Sequence, residues 1–293
     1  MSDSSPAQIL VIGATGTQGR AVSRQLLARG FAVRGLTRNP TSPAAQRLAG
    51  LGATPVAGDL DDATALEAAM RGVHGVYLVT EFFKNGIEGE LRHGKRVAEL
   101  AKRVGVRHLV HASVAGADRR SGVPHFDSKG EIEAHIRSLG IPATFLRPTI
   151  FMEDLTDKQY FPPASWGMMP KILGPDRPVK WIGVDDIGAA AAEAFTRGQA
   201  LHGAAIALVG DVRSMAASRE LFRRVRGKAP FALPMPTFLF RRLISEELVR
   251  MWEWLAAHEM DGDVAATRAL VPDLKDMETW LRGRVAADAA RAG

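Results

Sequence analysis

Short runs of consecutive apolar residues alternate along the chain with longer segments in which apolar residues recur at every third or fourth position. Continuous apolar runs are typical of parallel strands covered on both faces, and the longer spacing is typical of amphipathic helices. Residues 9–12 form the first run, and Ala21, Val22 and Leu26 follow it with helical spacing. The alternation predicts an α/β fold with strands over residues 9–12, 32–37, 53–57, 75–80, 107–113 and 144–147.

Three glycines spaced three apart stand between the first predicted strand and the first predicted helix: Gly13, Gly16 and Gly19. Gly13 permits a tight turn, Gly16 lets the backbone approach a ligand, and Gly19 lets the helix lie close to the strand. Because a helix N-terminus offers unpaired N–H groups and a positive dipole end, the turn predicts a pyrophosphate site. The residues assigned to this site are the three glycines with Thr15, Thr17 and Gln18. The alternative is a glycine-rich surface turn.

The end of the second predicted strand indicates which dinucleotide the turn binds. NAD-preferring proteins usually place Asp or Glu there, about 20 residues beyond the glycines, to bind the ribose 2′-hydroxyl. This chain has Thr37-Arg38-Asn39-Pro40 instead, with no carboxylate. A guanidinium suits the 2′-phosphate of NADP, so Arg38 predicts NADP(H) as the cofactor. An ordinary surface arginine is the alternative.

Composition limits the remaining possibilities. The chain has 293 residues, 46% of them hydrophobic, enough for one large domain or one domain with an appended lobe. It has no cysteine, so disulfides, thiolate metal sites and a cysteine nucleophile are excluded, and we expect no metal site. Residues 1–8 are polar and no run approaches ~18 apolar residues, so we expect no signal peptide, no membrane span and a cytoplasmic protein. The net charge of +6 is scattered among carboxylates, so we expect no nucleic-acid partner.

Two polar residues extend a helix face that is otherwise apolar. His125 and Lys129 continue the stripe of Ile132 and Ile136, which packs on the sheet. A lysine on an inward stripe needs an anionic or hydroxyl partner, unless it snorkels off the end of the helix. Lys95 lies near the apolar stripe of the preceding helix, as a cofactor ligand or as a surface lysine.

Three segments together resemble the NmrA-like family of atypical short-chain dehydrogenase/reductases: residues 13–19 (Gly-Ala-Thr-Gly-Thr-Gln-Gly), 37–40 and 125–131 (His-Phe-Asp-Ser-Lys-Gly-Glu). The resemblance covers nearly the whole chain. In related reductases a Tyr-x-x-x-Lys pair acts with a serine on the preceding strand; the lysine holds the nicotinamide ribose and lowers the pKa of the tyrosine. Carried over by position, this implies catalytic roles for Ser113 and Lys129. His125 stands where the tyrosine would be, and whether it replaces that proton donor stays open.

The resemblance also implies further cofactor contacts. Asp59 and Leu60 would lie under the adenine, and the segment that begins with Pro148 and Thr149 would run beside the nicotinamide. Thr80 leads into a loop that would border the cofactor at the carboxyl edge of the sheet. The helix that directly follows Asp62 in the chain is expected to be capped by Asp61 or Asp62.

These patterns predict a Rossmann-type doubly wound parallel sheet with a smaller C-terminal α/β substrate lobe. We expect residues 1–154 to form the NAD(P)-binding domain and residues 155–293 the smaller lobe, with residues 184–198 returning to the main sheet. Within the lobe, residues 161–178 are expected to be irregular and residues 238–260 to form one long amphipathic helical region.

The leading functional hypothesis is an NADPH-dependent reductase of quinones or similar electrophilic small molecules, with hydride transfer from the nicotinamide. The alternative is a sensor that binds NADP(H) without turnover and regulates a protein partner, since both share the fold. A third possibility, an epimerase-like enzyme acting on sugar nucleotides, is disfavoured by the missing tyrosine. The sequence leaves the substrate and the oligomeric state open.

Overall fold

The computed structural model describes residues 6–292. Residues 1–5, on which part of the expected absence of a signal peptide rests, and Gly293 lie outside the described residues. The strands are β1 (Gln8–Val11), β2 (Ala32–Thr37), β3 (Thr54–Ala57), β4 (Gly75–Leu78), β5 (His108–Ala112), β6 (Ala143–Pro148), β7 (Ile150–Phe151), β8 (Lys180–Ile182), β9 (Ala205–Leu208) and β10 (Asp211–Val212).

The helices are α1 (Thr17–Ala28), α2 (Pro43–Gly50), α3 (Ala63–Met70), α4 (Gly86–Arg103), α5 (Pro124–Ser138), α6 (Ser165–Leu173), α7 (Val184–Arg197), α8 (Met215–Arg226), α9 (Thr237–Leu243), α10 (Glu246–Ala257), α11 (Val264–Leu270) and α12 (Met277–Ala292). Two short 3-10 helices cover Met152–Thr156 and Gly198–Leu201. Among residues 6–292, no helix is both long and apolar enough to cross a lipid bilayer.

Seven strands form one sheet in the order β3-β2-β1-β4-β5-β6-β9. Strands β1 to β6 run parallel, and Val11 of β1 lies between Gly35 of β2 and Tyr77 of β4. The chain moves outward from β1 to β3 and then crosses to the other side of β1. This confirms the predicted Rossmann-type doubly wound sheet, whose switch point between β1 and β4 is where such sheets bind ligands.

The first compact unit comprises the chain up to Arg120 together with His125–Arg147 and Ile187–Ile206. Helices α3, α4 and α5 cover one face of its sheet with apolar residues, and the stripe residues Ile132 and Ile136 of α5 are fully buried. Helix α7 approaches α1 closely, because a Cβ on Gly188 would lie 2.8 Å from the carbonyl carbon of Ala21. Small residues at such contacts let two helix backbones come together.

The second unit comprises Ser121–Pro124, Pro148–Asp186 and the chain from Ala207 onward. It has a three-stranded sheet in the order β10-β8-β7 and is rich in helices. Its core contains Trp252, whose ring centroid lies 5.4 Å from that of Phe240 and 6.3 Å from that of Phe161. The change of unit falls at Pro148 rather than after Asp154, because β7 pairs with β8.

Two segments of the second unit differ from the sequence expectation. Residues 161–178 contain a helix, α6, although Pro170 lies inside it and removes one backbone donor. Residues 238–260 form two helices instead of one, because α9 ends at Leu243 and the Ser245 hydroxyl caps α10 by accepting from Leu248 N at 3.1 Å. A serine N-cap begins a new helix because it satisfies an otherwise unpaired N–H group.

Helix α5 presses against the loop that follows β5. A Cβ on Gly130 would lie only 1.9 Å from the carbonyl oxygen of Ala117, a distance that no real side chain tolerates. Because α5 carries both His125 and Lys129, this close approach fixes the position of the helix that supplies the predicted catalytic residues.

We predict that Gly130→Ala lowers the free energy of unfolding by about 1–3 kcal/mol, because the added methyl group forces α5 away from the loop. The matched control is Gly283→Ala in α12, where nothing lies within 4 Å of the added Cβ. That change should raise stability by about 0.5–1 kcal/mol through helix propensity. Urea unfolding of both variants measures their free energies of unfolding. A Gly130→Ala variant more stable than the wild type would contradict the close approach of Gly130 to Ala117.

Candidate functional site

The turn after β1 forms a cradle of exposed backbone. Gly13 has a positive φ of 69°, and its carbonyl oxygen accepts from Gly16 N at 2.9 Å. A Cβ on Gly19 would lie 2.2 Å from the carbonyl oxygen of Gly13, so only glycine lets α1 start this close to the strand. The three glycines therefore hold the positions that the sequence predicts for them.

The N-terminus of α1 has the features of an anion site. Gly16 occupies the cap position in extended conformation, with no side-chain cap and no acidic residue in the first turn. The first helical hydrogen bond runs from Arg20 N to Gly16 O at 3.0 Å, so the N–H groups before it are not used in the helix. Thr15 and Gln18 are half-buried beside the exposed Thr17. Unpaired N–H groups on a 12-residue helix and a cradle that any Cβ would fill fit a pyrophosphate.

Arg38 follows β2 and is exposed, and its guanidinium forms no hydrogen bond or ion pair with any of residues 6–292. The turn around it is ordered by short-range contacts. Asn39 N donates to the Thr37 hydroxyl at 3.3 Å, and Asn39 Oδ1 accepts from Thr41 N at 3.0 Å. The turn therefore presents an uncompensated cation at the end of the strand next to β1, where a 2′-phosphate would need it.

The loop after β3 is tied to the same region. Gly58 N donates to Thr37 O at 3.0 Å, so this loop runs beside the turn that carries Arg38. Asp59 Oδ1 accepts from Asp61 N at 2.9 Å, and the carbonyl of Leu60 accepts from Arg96 at 2.6 Å. Asp59 and Leu60 thus have fixed positions, and their contact with an adenine stays a prediction.

Asp62 is the residue that caps α3, because its carboxylate accepts from Thr64 N and Ala65 N at 3.0 Å each. Of the two aspartates that the sequence offers for this cap, Asp61 has another function. It forms ion pairs with Arg92 and Arg96 of α4, and its carboxylate lies 3.0 Å from His93 Nε2.

Lys129 is held by a buried network at the end of β4. Its ammonium donates to Thr80 O and to Thr80 Oγ1, both at 2.8 Å, and it pairs with Glu90 Oε1 at 2.8 Å. The Glu90 carboxylate also accepts from Ser128 Oγ at 2.5 Å and from Thr80 Oγ1 at 3.1 Å. The side chains of Lys129 and Glu90 are 11% and 0% exposed, so Lys129 does not snorkel to solvent. All three ammonium protons have acceptors within the protein.

Burial lowers the pKa of the Lys129 ammonium, and the Glu90 carboxylate opposes that shift. The imidazole of His111 is fully buried on β5 and has its pKa lowered to about 3 by burial and, secondly, by the positive charge of Lys129. The His111 imidazole is therefore neutral beside the Lys129–Glu90 pair.

A second buried network contains Ser113. Its hydroxyl donates to Glu133 Oε1 at 2.5 Å, and the Glu133 carboxylate accepts two hydrogen bonds from Arg147, at 2.9 and 2.6 Å. Arg147 also donates to Asp118 at 2.7 Å. These contacts join β5, α5, β6 and the loop after β5. The structure thus gives Ser113 a structural partner that the sequence does not predict.

Two aromatic side chains lie in the loop that follows β4, and one of them stacks on a ring of α5. Phe82 stacks on His125 with ring centroids 5.1 Å apart and an angle of 14° between the planes, and Phe83 lies 4.1 Å from Phe82. Phe83 is 59% exposed, although it is a large apolar side chain. We name Phe82, Phe83 and His125 the ring surface. It lies in the first unit next to Thr80 in sequence and, through α5, next to Lys129.

The remaining predicted site residues have partners of their own. Lys95 pairs with Glu131 at 2.5 Å, with side chains 34% and 54% exposed, and its contact with a cofactor stays a prediction. Pro148 and Thr149 lie buried in the second unit, where Thr149 Oγ1 donates to Leu208 O at 3.0 Å. Their place beside a nicotinamide stays a prediction.

Neither tyrosine takes the position of the missing proton donor in the first unit. Tyr77 is 0% exposed within β4, its hydroxyl has no hydrogen-bond partner among the described residues, and burial raises its pKa. Tyr160 belongs to the second unit. No group of three or more His, Asp or Glu side chains in the described part of the chain is arranged to hold a metal ion.

Sequence reasoning missed Glu90 and Glu133, although a signal for each exists. Glu90 is on the same helix face as Gly94, Val97 and Ala101, and Glu133 directly follows Ile132 on the inward side of α5. An acidic residue on an apolar helix face needs a buried cation or donor, just as Lys129 does. The pattern shows that each carboxylate needs a buried donor, and only the packing of the helices shows which donor it has.

We predict that Glu90→Gln lowers the free energy of unfolding by about 3–5 kcal/mol, because it leaves the Lys129 charge buried without a counter-ion. Lys129→Met should lower the free energy of unfolding by a similar amount, because it leaves the Glu90 carboxylate buried without its cation. In the double variant the two losses should be far from additive, since no buried charge remains. Denaturant unfolding of the wild type, the two single variants and the double variant without cofactor gives the four free energies of this double-mutant cycle.

The control for this cycle is Lys95→Met, which breaks the exposed pair with Glu131 and should change stability by less than about 1 kcal/mol. Additive losses in the Glu90 and Lys129 variants would show that the two side chains do not interact in solution.

A model of the NmrA-like family matches residues 5–281. A (4-alkanoyl-5-oxo-2,5-dihydrofuran-3-yl)methyl phosphate reductase from Streptomyces griseus subsp. griseus is 35% identical over 205 residues, or 69% of this chain and 67% of that protein. The solved structure of NmrA, a negative transcriptional regulator in complex with NADP, has a TM-score of 0.78 at 22% identity and covers 99% of this chain and 98% of its own.

The NADPH-dependent quinone oxidoreductase of Escherichia coli, solved in complex with NADPH, has a TM-score of 0.76 at 21% identity and covers 94% of this chain and 99% of its own. At such identities the two structures establish the shared fold and nothing more specific. The family match extends over nearly the whole sequence and agrees with the glycine cradle and the strand order. The chain therefore belongs to the NmrA-like family, an NAD(P)-binding family of Rossmann-type proteins that includes reductases.

Proposed function

We propose that the protein binds NADP(H) and reduces quinones or similar electrophilic small molecules. One observation carries the proposal: the uncapped α1 N-terminus, the unpaired Arg38 and the ring surface all follow neighbouring strands of one parallel sheet. Side chains that follow the carboxyl ends of adjacent strands lie along the same edge of the sheet.

Each part of this edge suits one part of the cofactor. The N–H groups at the start of α1 would hold the pyrophosphate, and Arg38 would hold the 2′-phosphate through charge-assisted hydrogen bonds. Nicotinamide, when bound, supplies the hydride. Two similar proteins support this choice, since one is an NADPH-dependent quinone oxidoreductase solved with NADPH and another is a reductase.

The ring surface favours a planar acceptor. Phe82 and His125 are nearly parallel, and Phe83 adds an exposed apolar face. Flat conjugated molecules stack on such rings, with offset or parallel geometry at centroid distances of about 4.5–7 Å. A quinone has this shape, whereas an aliphatic ketone gains little from the surface.

The proton side of the reaction also favours quinones. Tyrosine is missing from the usual position, the Ser113 hydroxyl is bonded to Glu133, and the Lys129 protons are bonded to Thr80 and Glu90. Reduction of an isolated ketone develops an alkoxide that needs a nearby acid, whereas hydride addition to a quinone gives a delocalised anion that water protonates later. The site therefore suits an acceptor that needs little proton donation.

Ser113 and Lys129, whose protons are already hydrogen-bonded within the protein, also favour a second candidate, an NADP(H) sensor that regulates a protein partner. A site in which Ser113 and Lys129 are both committed to internal carboxylates can bind a dinucleotide without catalysing proton transfer. Turnover distinguishes the two candidates, because fold and cofactor binding are common to both.

We predict that wild-type protein binds NADPH more tightly than NADH and that Arg38→Ala reduces this preference about ten- to a hundredfold, since one charge-assisted contact with the 2′-phosphate is lost. Fluorescence titration with both cofactors measures it. The control is Arg47→Ala, which removes an exposed arginine from the following helix α2. Equal affinities for the two cofactors in the wild type contradict the assignment of Arg38.

We predict that purified protein oxidises NADPH in the presence of quinones and leaves simple ketones unreduced. His125→Phe should keep quinone turnover within about threefold, because it preserves the ring that stacks on Phe82, whereas His125→Ala should raise KM. Stopped-flow or steady-state absorbance of NADPH gives both constants. Loss of turnover in His125→Phe with intact NADPH binding would identify the imidazole as the proton donor. Tight NADPH binding with no turnover on any acceptor would favour the sensor.

A further inference from the structure

The second unit contains a cavity of about 240 Å³ that has no part in the function proposed above. It lies where β7 and β8 begin, next to the ends of α6 and α10. Four of its lining residues are apolar and buried: Leu173, Val179, Leu255 and Met260. Apolar walls of this kind exclude strongly hydrated ligands such as sugars or inorganic phosphate.

Lys180 places a fixed positive charge in the cavity wall. Its ammonium donates to the carbonyl oxygens of Met260 and Gly262, each at 2.7 Å. These bonds use two of the three ammonium protons, and both acceptors are neutral. Within the described part of the chain no carboxylate forms an ion pair with Lys180, so its charge is held in place and not neutralised.

Arg177 adds a second cation at the same cavity. Its guanidinium is half-buried, and its hydrogen bond to the carbonyl of His258 is long, at 3.5 Å. It forms no ion pair with a carboxylate of residues 6–292. The His258 ring is fixed by stacking on Trp254, with centroids 4.8 Å apart, and by a contact of its Nδ1 with Trp254 O at 3.0 Å. Exposed Glu259 is the acidic lining residue, so positive charge predominates.

We propose that this cavity binds a small organic carboxylate with an apolar body, such as an aromatic or branched aliphatic monocarboxylate. An apolar cavity of about 150 Å³ holds a benzene molecule, so the volume suits one ring with its carboxylate. The carboxylate would accept from the free proton of Lys180 and from the Arg177 fork, and the ring would contact the buried apolar walls. The proposal is independent of the NADP(H) site.

The test uses benzoate as the probe and the full-length protein, with isothermal titration calorimetry as the measurement. We expect saturable binding with a Kd on the order of 1 mM, because the ligand is small. Benzamide, which has the same shape without the charge, should bind at least tenfold more weakly. Lys180→Met and Arg177→Gln should each weaken benzoate binding about tenfold, whereas Lys171→Met, a change in an exposed lysine of α6 outside the cavity, should leave it unaltered.

A second variant keeps the test decisive if Lys180→Met destabilises the loop that Lys180 braces. Val212 lines the cavity and is 44% exposed, so Val212→Trp fills the space from its rim without entering the core. It should abolish benzoate binding while preserving the melting temperature. The proposal is overturned if the wild type shows no saturable binding, if benzamide binds as well as benzoate, or if Val212→Trp leaves binding intact.

Discussion

The buried ion pair between Lys129 and Glu90 holds together the carboxyl edge of the first unit's sheet. It joins α5 to α4 and, through Thr80, to the end of β4. Burial lowers the pKa of the lysine, and the Glu90 carboxylate opposes that shift. The lysine therefore has a position that the protein fixes by itself, independent of any ligand. The glycine contact between α5 and the loop after β5 supports the same arrangement from the other side.

Two buried carboxylates define what the polar groups of this edge can do. Glu90 accepts hydrogen bonds from Lys129, Thr80 and Ser128, and Glu133 accepts them from Ser113 and Arg147. These hydrogen bonds hold helices on strands. A buried carboxylate needs such donors, because an unpaired charge in the interior is costly. In the proposed function, chemistry at this edge would then depend on the cofactor and on the shape of the acceptor.

In the proposed function, phosphate recognition would depend on a backbone element and on a side chain in different ways. The start of α1 offers N–H groups of the backbone. These groups suit the pyrophosphate that NAD and NADP have in common. Arg38 is a single exposed side chain on a turn ordered by Thr37 and Asn39, and in the proposed function it would discriminate between cofactors by one phosphate. Affinity and selectivity are thus located in separate elements, and an enzyme and a sensor of the same family can share both. The enzyme differs from the sensor in having a proton source for the reduced acceptor and a surface on which the acceptor can bind.

The sequence by itself determined the features that depend on neighbouring residues. The strand runs, the helical stripes and the Gly13–Gly16–Gly19 spacing each report on a few consecutive positions, and they sufficed for the doubly wound sheet and for the glycine turn between β1 and α1. Even local reasoning failed where a cap or a proline competes with periodicity, as at Ser245 and Pro170. The tertiary structure alone decided that Glu90 is the partner of Lys129, that Ser113 is bonded to Glu133, and that Phe82 stacks on His125. These pairs join residues on different elements, and a buried charge or ring is satisfied by whichever elements pack beside it, which no period along the chain encodes.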